Sequence, residues 1–144
     1  MTQSRELAKG QNVPLDPEVK SLRMSVRWTA RAEAINVDLV ALIVGADRRV
    51  RSDADMIFYN QPSTADGSVV HAGKVLGDGR GTDDVSVDIA LLGEDVMGLT
   101  VAASTDGAPF GEITDLEWCV FLETGEAAAP WCFVVSVITA RSIA

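Results

Sequence analysis

A period near two runs through most of this chain, and it limits the fold more than any other feature. In "VSVDIAL", Val85, Val87 and Ile89 alternate with Ser86 and Asp88. Side chains that alternate this way point to opposite faces of a strand, so one face is apolar and the other polar. Apolar stripes at helical spacing are absent. β-Branched and aromatic enrichment, bounded by Gly, Asp, Asn and Pro, marks strands at about Met24–Trp28, Val37–Val44, Met56–Tyr59, Ser68–His71, Val85–Leu91, Leu99–Ala103, Glu117–Leu122 and Cys132–Thr139. Turn signals such as "GADRRV", "NQPSTADG" and "STDGAPFG" separate them. About eight short strands with frequent turns predict an all-β fold, a two-sheet antiparallel β-sandwich with acidic loops. "LLGEDVMG" has room for one short helical turn.

Two segments depart from strict alternation. "VDLVALIV" and "FVVSVIT" are nearly continuous in apolar residues, as strands covered on both faces are. The stretch "LEWCVFLETGEAAAPWCFV" reads as a hairpin around Gly125-Glu126, which sets Cys119 across from Cys132. A disulfide is geometrically conceivable in that register. A reducing compartment favours two small buried or half-buried thiols.

The 144 residues suit one domain spanning 1–144, with residues 1–8 expected to be flexible. The formal charge of -9 argues against a nucleic-acid partner, which needs a Lys/Arg face. The first twenty residues contain no apolar signal region, and no apolar run approaches the roughly 20 residues of a spanning helix. A cytoplasmic protein with no direct membrane insertion is expected.

Catalysis finds little support. Any Ser-His or Cys-His arrangement must use His71, the only histidine, and no serine sits in a G-x-S-x-G turn. A hydrolase would have to join His71 to Asp78 or Asp83; a lone histidine at a strand end is more often a hydrogen-bonded structural residue. Two cysteines 13 apart do not give paired zinc-ligand spacing. Gly77, Gly79 and Gly81 alternate, but a strand follows them rather than the helix that a dinucleotide fingerprint opens.

Oxygen ligation fits the letters better. Calcium takes six to eight oxygens from carboxylates, amides and carbonyls. Asn36 and Asp38, then Asp53 and Asp55, lie two apart, so in an extended segment each pair shares a side. Asn60 and Gln61 follow, and "GDGRGTDD" adds Asp78, Asp83 and Asp84 in a glycine-rich stretch read as a loop. The competing explanation is that Asp and Asn simply favour turns.

Four stretches carry a resemblance. "KGQNVPL" (Lys9 to Leu15), "NVDLVALIVGADRRVRSDADMIFYNQ" (Asn36 to Gln61), "DGSVVHAG" (Asp66 to Gly73) and "TDDVSVDIALL" (Thr82 to Leu92) resemble the TerD family of tellurium-resistance and stress-response proteins. The block from Val50 to Pro62 is the most specific piece. After Leu92 the similarity loosens, through Phe110–Ile113 and Leu122–Glu126. The resemblance implies a β-sandwich in the bacterial cytoplasm, calcium held by acidic loops, and no established reaction. It also implies operons that encode several similar proteins, some of which associate with a membrane-embedded partner.

Carried over position by position, the resemblance implies a metal set of Asn36, Asp38, Asp53, Asp55, Asn60, Asp78, Asp83 and Asp84. Relatives usually read D-L-D where Asn36-Val37-Asp38 stands, and H-T-G-D-N-L where His71 to Leu76 stands. An acid has become Lys74, an amide Val75, and a later acid Val85. At about 4 Å and an effective dielectric near 20, each unit charge is worth on the order of 4 kcal/mol. Lys74 must therefore point outward or act as the cation itself, paired with Asp83 or Asp84. Relatives also continue past "VITARSIA"; a missing edge strand would favour homo-oligomers or assembly with paralogues. Two readings follow: a calcium-responsive binding or scaffold module, or a metal-free structural or assembly subunit.

Overall fold

The alternating segments that fall among the described residues become strands. The computed structural model describes residues 18–29, 36–106, 113–123 and 129–133. Its strands are β1 (Ser21–Thr29), β2 (Asn36–Val44), β3 (Met56–Ile57), β4 (Val69–Gly77), β5 (Arg80–Asp88), β6 (Gly98–Asp106), β7 (Thr114–Glu123) and β8 (Ala129–Phe133). They form a five-stranded sheet in the order β4-β5-β1-β7-β8 and a three-stranded sheet in the order β3-β2-β6, with every pairing antiparallel. The fold is all-β, as the period of two predicts.

The core lies between the sheets. Val37, Leu39, Ala41 and Ile43 on one face of β2 are all but fully buried, and they meet Leu22, Val26 and Trp28 of β1 with Val85 and Val87 of β5. Burying an aliphatic side chain of this size contributes roughly 1.5–3 kcal/mol, so this interface is a main source of stability. The other face of β2 is half-buried, which accounts for its nearly unbroken apolar run.

Several elements differ from the sequence expectations. The predicted strand Met56–Tyr59 shortens to Met56–Ile57, because Phe58 and Gln61 exchange two backbone hydrogen bonds across a tight turn. The glycine-rich stretch read as a loop is instead most of a hairpin. Only its tip turns: Asp78 (φ 54°) and Gly79 (φ 74°) both adopt positive φ, as a two-residue type I′ turn requires. Asp83 and Asp84 therefore stand in a strand. A 3-10 turn at Ile89–Leu91 follows β5, and Asp88 caps it by accepting from Ala90 N at 3.1 Å. Cys119 does pair in register with Cys132, while the turn at Gly125-Glu126 and most of Cys132–Thr139 lie outside the described residues.

Candidate functional site

The sheets meet at a charged corner. β3 covers β2 only at Ala41 and Leu42, which leaves the Asn36–Val40 end of that edge to β4 and β5. There Leu39 N donates to Asp83 Oδ2 at 2.8 Å, joining one sheet's backbone to the other sheet's side chain. Asp83 lies on the Val85/Val87 face of β5 and is fully buried, so a carboxylate occupies a core position.

A bulge in β4 completes the corner. His71 is opposite Val85 and Lys74 opposite Asp83, with the extra residue between His71 and Gly73. Residues three apart in a regular strand face opposite ways. The bulge restores the parity, so His71 and Lys74 share the face of Asp83. Gly73 takes φ +115° to allow it, a conformation that side chains disfavour.

Each cationic or ring group then finds an acid. His71 Nε2 lies 2.7 Å from Asp83 Oδ1, although the approach does not meet hydrogen-bond geometry. Lys74 Nζ donates to Asn36 Oδ1 at 2.7 Å and forms an ion pair with Asp38. The ammonium also sits 5.9 Å from the Trp28 ring centroid. The Trp28 ring packs against Gly81, whose hydrogen leaves room that a Cβ would take, at 2.3 Å from Cζ2. Lys74 thus crosses to β2 and does not bond Asp83 or Asp84, contrary to the sequence expectation. The backbone register puts Lys74 beside Asp83, but that carboxylate is already held by Leu39 N and His71.

A second acidic group gathers around Arg51. Asp53 and Asp55 were expected in an extended segment; they form a 3-10 turn instead, capped by Ser52, which accepts from Ala54 N at 3.3 Å. That turn exposes Asp53 and buries Asp55. Arg51 donates to Asp55 from Nε at 2.8 Å, from its terminal nitrogen at 2.9 Å and from its backbone N at 2.9 Å, and it also pairs with Asp95. These bonds from Arg51 hold the Asp55 carboxyl below its usual pKa and raise that of the guanidinium. A cleft of about 260 Å³ opens beside them, lined by Arg51, Asp55, Thr64, Asp66, Ser68 and Leu92 among others.

The eight expected metal residues therefore do not form one set. Asn36, Asp38 and Asp83 converge on the corner; Asp55 belongs to Arg51. Asp53, Asn60 and Asp78 are exposed on separate turns. Asp84 faces away from Asp83, beside Ser25 of β1, and its Oδ1 has no hydrogen-bond partner among the described residues. Sequence reasoning missed Gln61 as an organiser: its side-chain nitrogen donates to the carbonyls of Asp53 and Met56, each at 2.7 Å. It also missed Arg51, although the i,i+4 spacing to Asp55 was readable in "RSDAD".

As the chain stands, these donors do not fit calcium. The ion needs six to eight oxygens around one point. The corner offers Asn36 Oδ1 and the Asp38 carboxylate, and an ammonium already sits on both. Among the described residues, no three His, Cys, Asp or Glu side chains are grouped to hold a metal ion.

An antiparallel two-sheet domain closed by a charged corner is the class these features define. The TerD domain family model matches residues 3–130, so the chain belongs to the TerD domain family. It is 41% identical over 95 residues to a protein of Alcaligenes sp called tellurium resistance protein TerD, an alignment covering 61% of this chain and 49% of that one. It is 38% identical over 95 residues to a protein of the same name from Serratia marcescens, with the same shares covered. The chain spans about half the length of the curated relatives it matches. No helix among the described residues is long and apolar enough to cross a membrane.

Proposed function

We propose that this chain is a cytoplasmic, non-enzymatic module of tellurium resistance and stress response that works by binding and assembly. The observation that carries the reading is how the corner uses its reactive groups. His71, which any Ser-His or Cys-His chemistry would need, has a side chain only 7% exposed, set against an Asp83 that is fully buried. A ring held in this way braces β4 against β5, and its burial keeps it from a substrate.

The surface supports assembly. β4 and β6 are edge strands among the described residues. Val75 and Leu76 on β4 are 69% and 59% exposed, and Met97 beside β6 is 69% exposed. Apolar side chains on open strand edges favour pairing with another chain. The partners proposed are further copies of this chain, its paralogues, or a membrane-embedded protein that the module would serve from the cytoplasm.

A calcium-responsive form and a metal-free form of this reading differ at the ligand positions now held by Lys74, Val75 and Val85. Lys74 favours the metal-free form, because its ammonium already sits on Asn36 and Asp38. The function itself is tested by tellurite challenge. Cells that lack their own resistance genes should survive better with this chain and its paralogues than with the paralogues alone. Equal survival at equal expression would remove the resistance role. A clean monomer by light scattering at high concentration, alone and mixed with paralogues, would remove the assembly role.

A further inference from the structure

We infer that Lys74 is the resident cation of the corner, a covalent ammonium in the position where a divalent ion would otherwise join Asn36 and Asp38, so that the sheets of this chain are tied without calcium. The inference deepens the metal-free form of the reading above and rests on it.

Three observations carry it. First, the partners of Lys74 Nζ are an amide oxygen and a carboxylate, the donor types that a hard cation takes. Both come from β2, in the sheet opposite to the lysine's own. Second, the delivery is built into the backbone. The bulge between His71 and Gly73 turns Lys74 onto the inner side of β4, and Gly73 supplies the positive φ. An ordinary solvated lysine on an edge strand would need neither. Its side chain is 17% exposed and that of Asp38 is 21% exposed, so the pair sits largely out of water and salt screens it little. Third, the same solution recurs at the other acidic group, where Arg51 lies between Asp55 and Asp95. In both places a side-chain cation of the chain itself is shared by groups that could otherwise have met an ion.

Charge sets the consequence. With Lys74 the corner sets an ammonium against the Asp38 carboxylate. Lys74→Asp exchanges that cation for a carboxylate, a change of two units, and leaves two acids with Asn36 around the vacated space. Such a site needs an external cation to hold it together.

The test is a set of thermal melts and calcium titrations of the full chain. Wild type should melt at the same temperature in calcium and in chelator, and calorimetry should detect no saturable uptake at concentrations up to about 1 mM, the weak end for calcium modules. Stabilisation of wild type by calcium, or its loss in chelator, would overturn the inference. Lys74→Asp should melt lower in chelator, recover in calcium and gain saturable uptake, since binding to the folded state raises its melting temperature. A folded Lys74→Asp chain without calcium uptake would also overturn it. Should that variant fail to fold in either condition, a cycle of Lys74→Met, Asp38→Asn and both together decides the matter. Coupling between the two sites supports the resident cation, and additive losses overturn it. These melts do not depend on the tellurite assay: calcium binding by wild type would leave the scaffold reading standing, and failure in the tellurite assay would leave the resident cation standing.

Discussion

The corner and the Arg51 cleft solve one problem in two settings. Both set acidic side chains against basic ones of the chain itself: Asp38 on Lys74 and Asp83 on His71 in the corner, Asp55 and Asp95 on Arg51 in the cleft. In the corner, Asp83 is fully buried and Lys74 has a 17% exposed side chain. In the cleft, the Arg51 and Asp95 side chains are 40% and 66% exposed, although that of Asp55 is only 7% exposed. Water and salt screen the second arrangement and hardly reach the first. The corner should therefore act as a structural tie, and the cleft as a surface pairing that fixes a loop.

Asp83→Ala is the largest break to be expected. It leaves Leu39 N without its acceptor and His71 without its carboxylate, both inside the core. Removing one partner of a buried pair costs about 3–5 kcal/mol. Urea unfolding should show a lower midpoint with little change in slope. A loss below about 1 kcal/mol would mean that the corner is no more protected than a surface pair.

Gly81→Ala attacks the same corner by packing rather than charge. Its Cβ would stand 2.3 Å from the Trp28 ring, which is 2% exposed and beside the Lys74 ammonium. Overpacking of this kind costs about 1–3 kcal/mol, and the ring must move. In a Trp28→Phe background the smaller ring should relieve part of that loss. An unchanged stability would show that the ring is not wedged against the strand.

Asp55→Ala moves the test to the cleft. It removes three hydrogen bonds from Arg51, one of them from the backbone. The loss should be about 1–2 kcal/mol, at the low end for charged hydrogen bonds because Arg51 reaches solvent. Most of that loss should disappear in 1 M salt, where the Debye length falls to about 3 Å. The Asp83→Ala loss should survive the same salt. Equal salt sensitivity at both sites would erase the distinction between them.

The strands of this fold were legible because alternation is local. The faces of β5 could be counted in twos from Val85 back to Asp83, which lands the acid on the core side. What hid this was composition: Gly77, Gly79 and Gly81 made the stretch look like a loop, while Asp78-Gly79 marked only its tip. The role of Lys74 was half legible. The need for a cation partner followed from its charge, but its partner did not. Pairing within a sheet follows from register, which puts Lys74 beside Asp83. Contact between sheets depends on how they stack and on a one-residue bulge, and neither leaves a periodic trace. Asp53 and Asp55 failed for a related reason: a 3-10 turn separates residues that an extended chain would align.

The finest test of the comparison uses Asp66, on the cleft wall. Its carboxylate accepts from Ser68 N at 2.9 Å, Ser68 Oγ at 2.7 Å and Thr64 Oγ1 at 2.8 Å. The Ser68 bonds, backbone first, and then the Thr64 bond lower its pKa to about 2. The folded-state value lies below the ordinary one, so the ionised form favours the fold. That stability is fully present above the unfolded pKa near 3.8 and is lost as pH falls toward 2. Asp66→Asn keeps an oxygen that can accept but removes the charge. Its melting temperature should lie below that of wild type at pH 5, and the two should converge as pH approaches 2. The effect should be the smallest of the set, since the group is exposed to solvent. Parallel melting curves across that range would show that the turn depends on the acceptor oxygen alone, and that charge at the cleft wall contributes nothing to the fold.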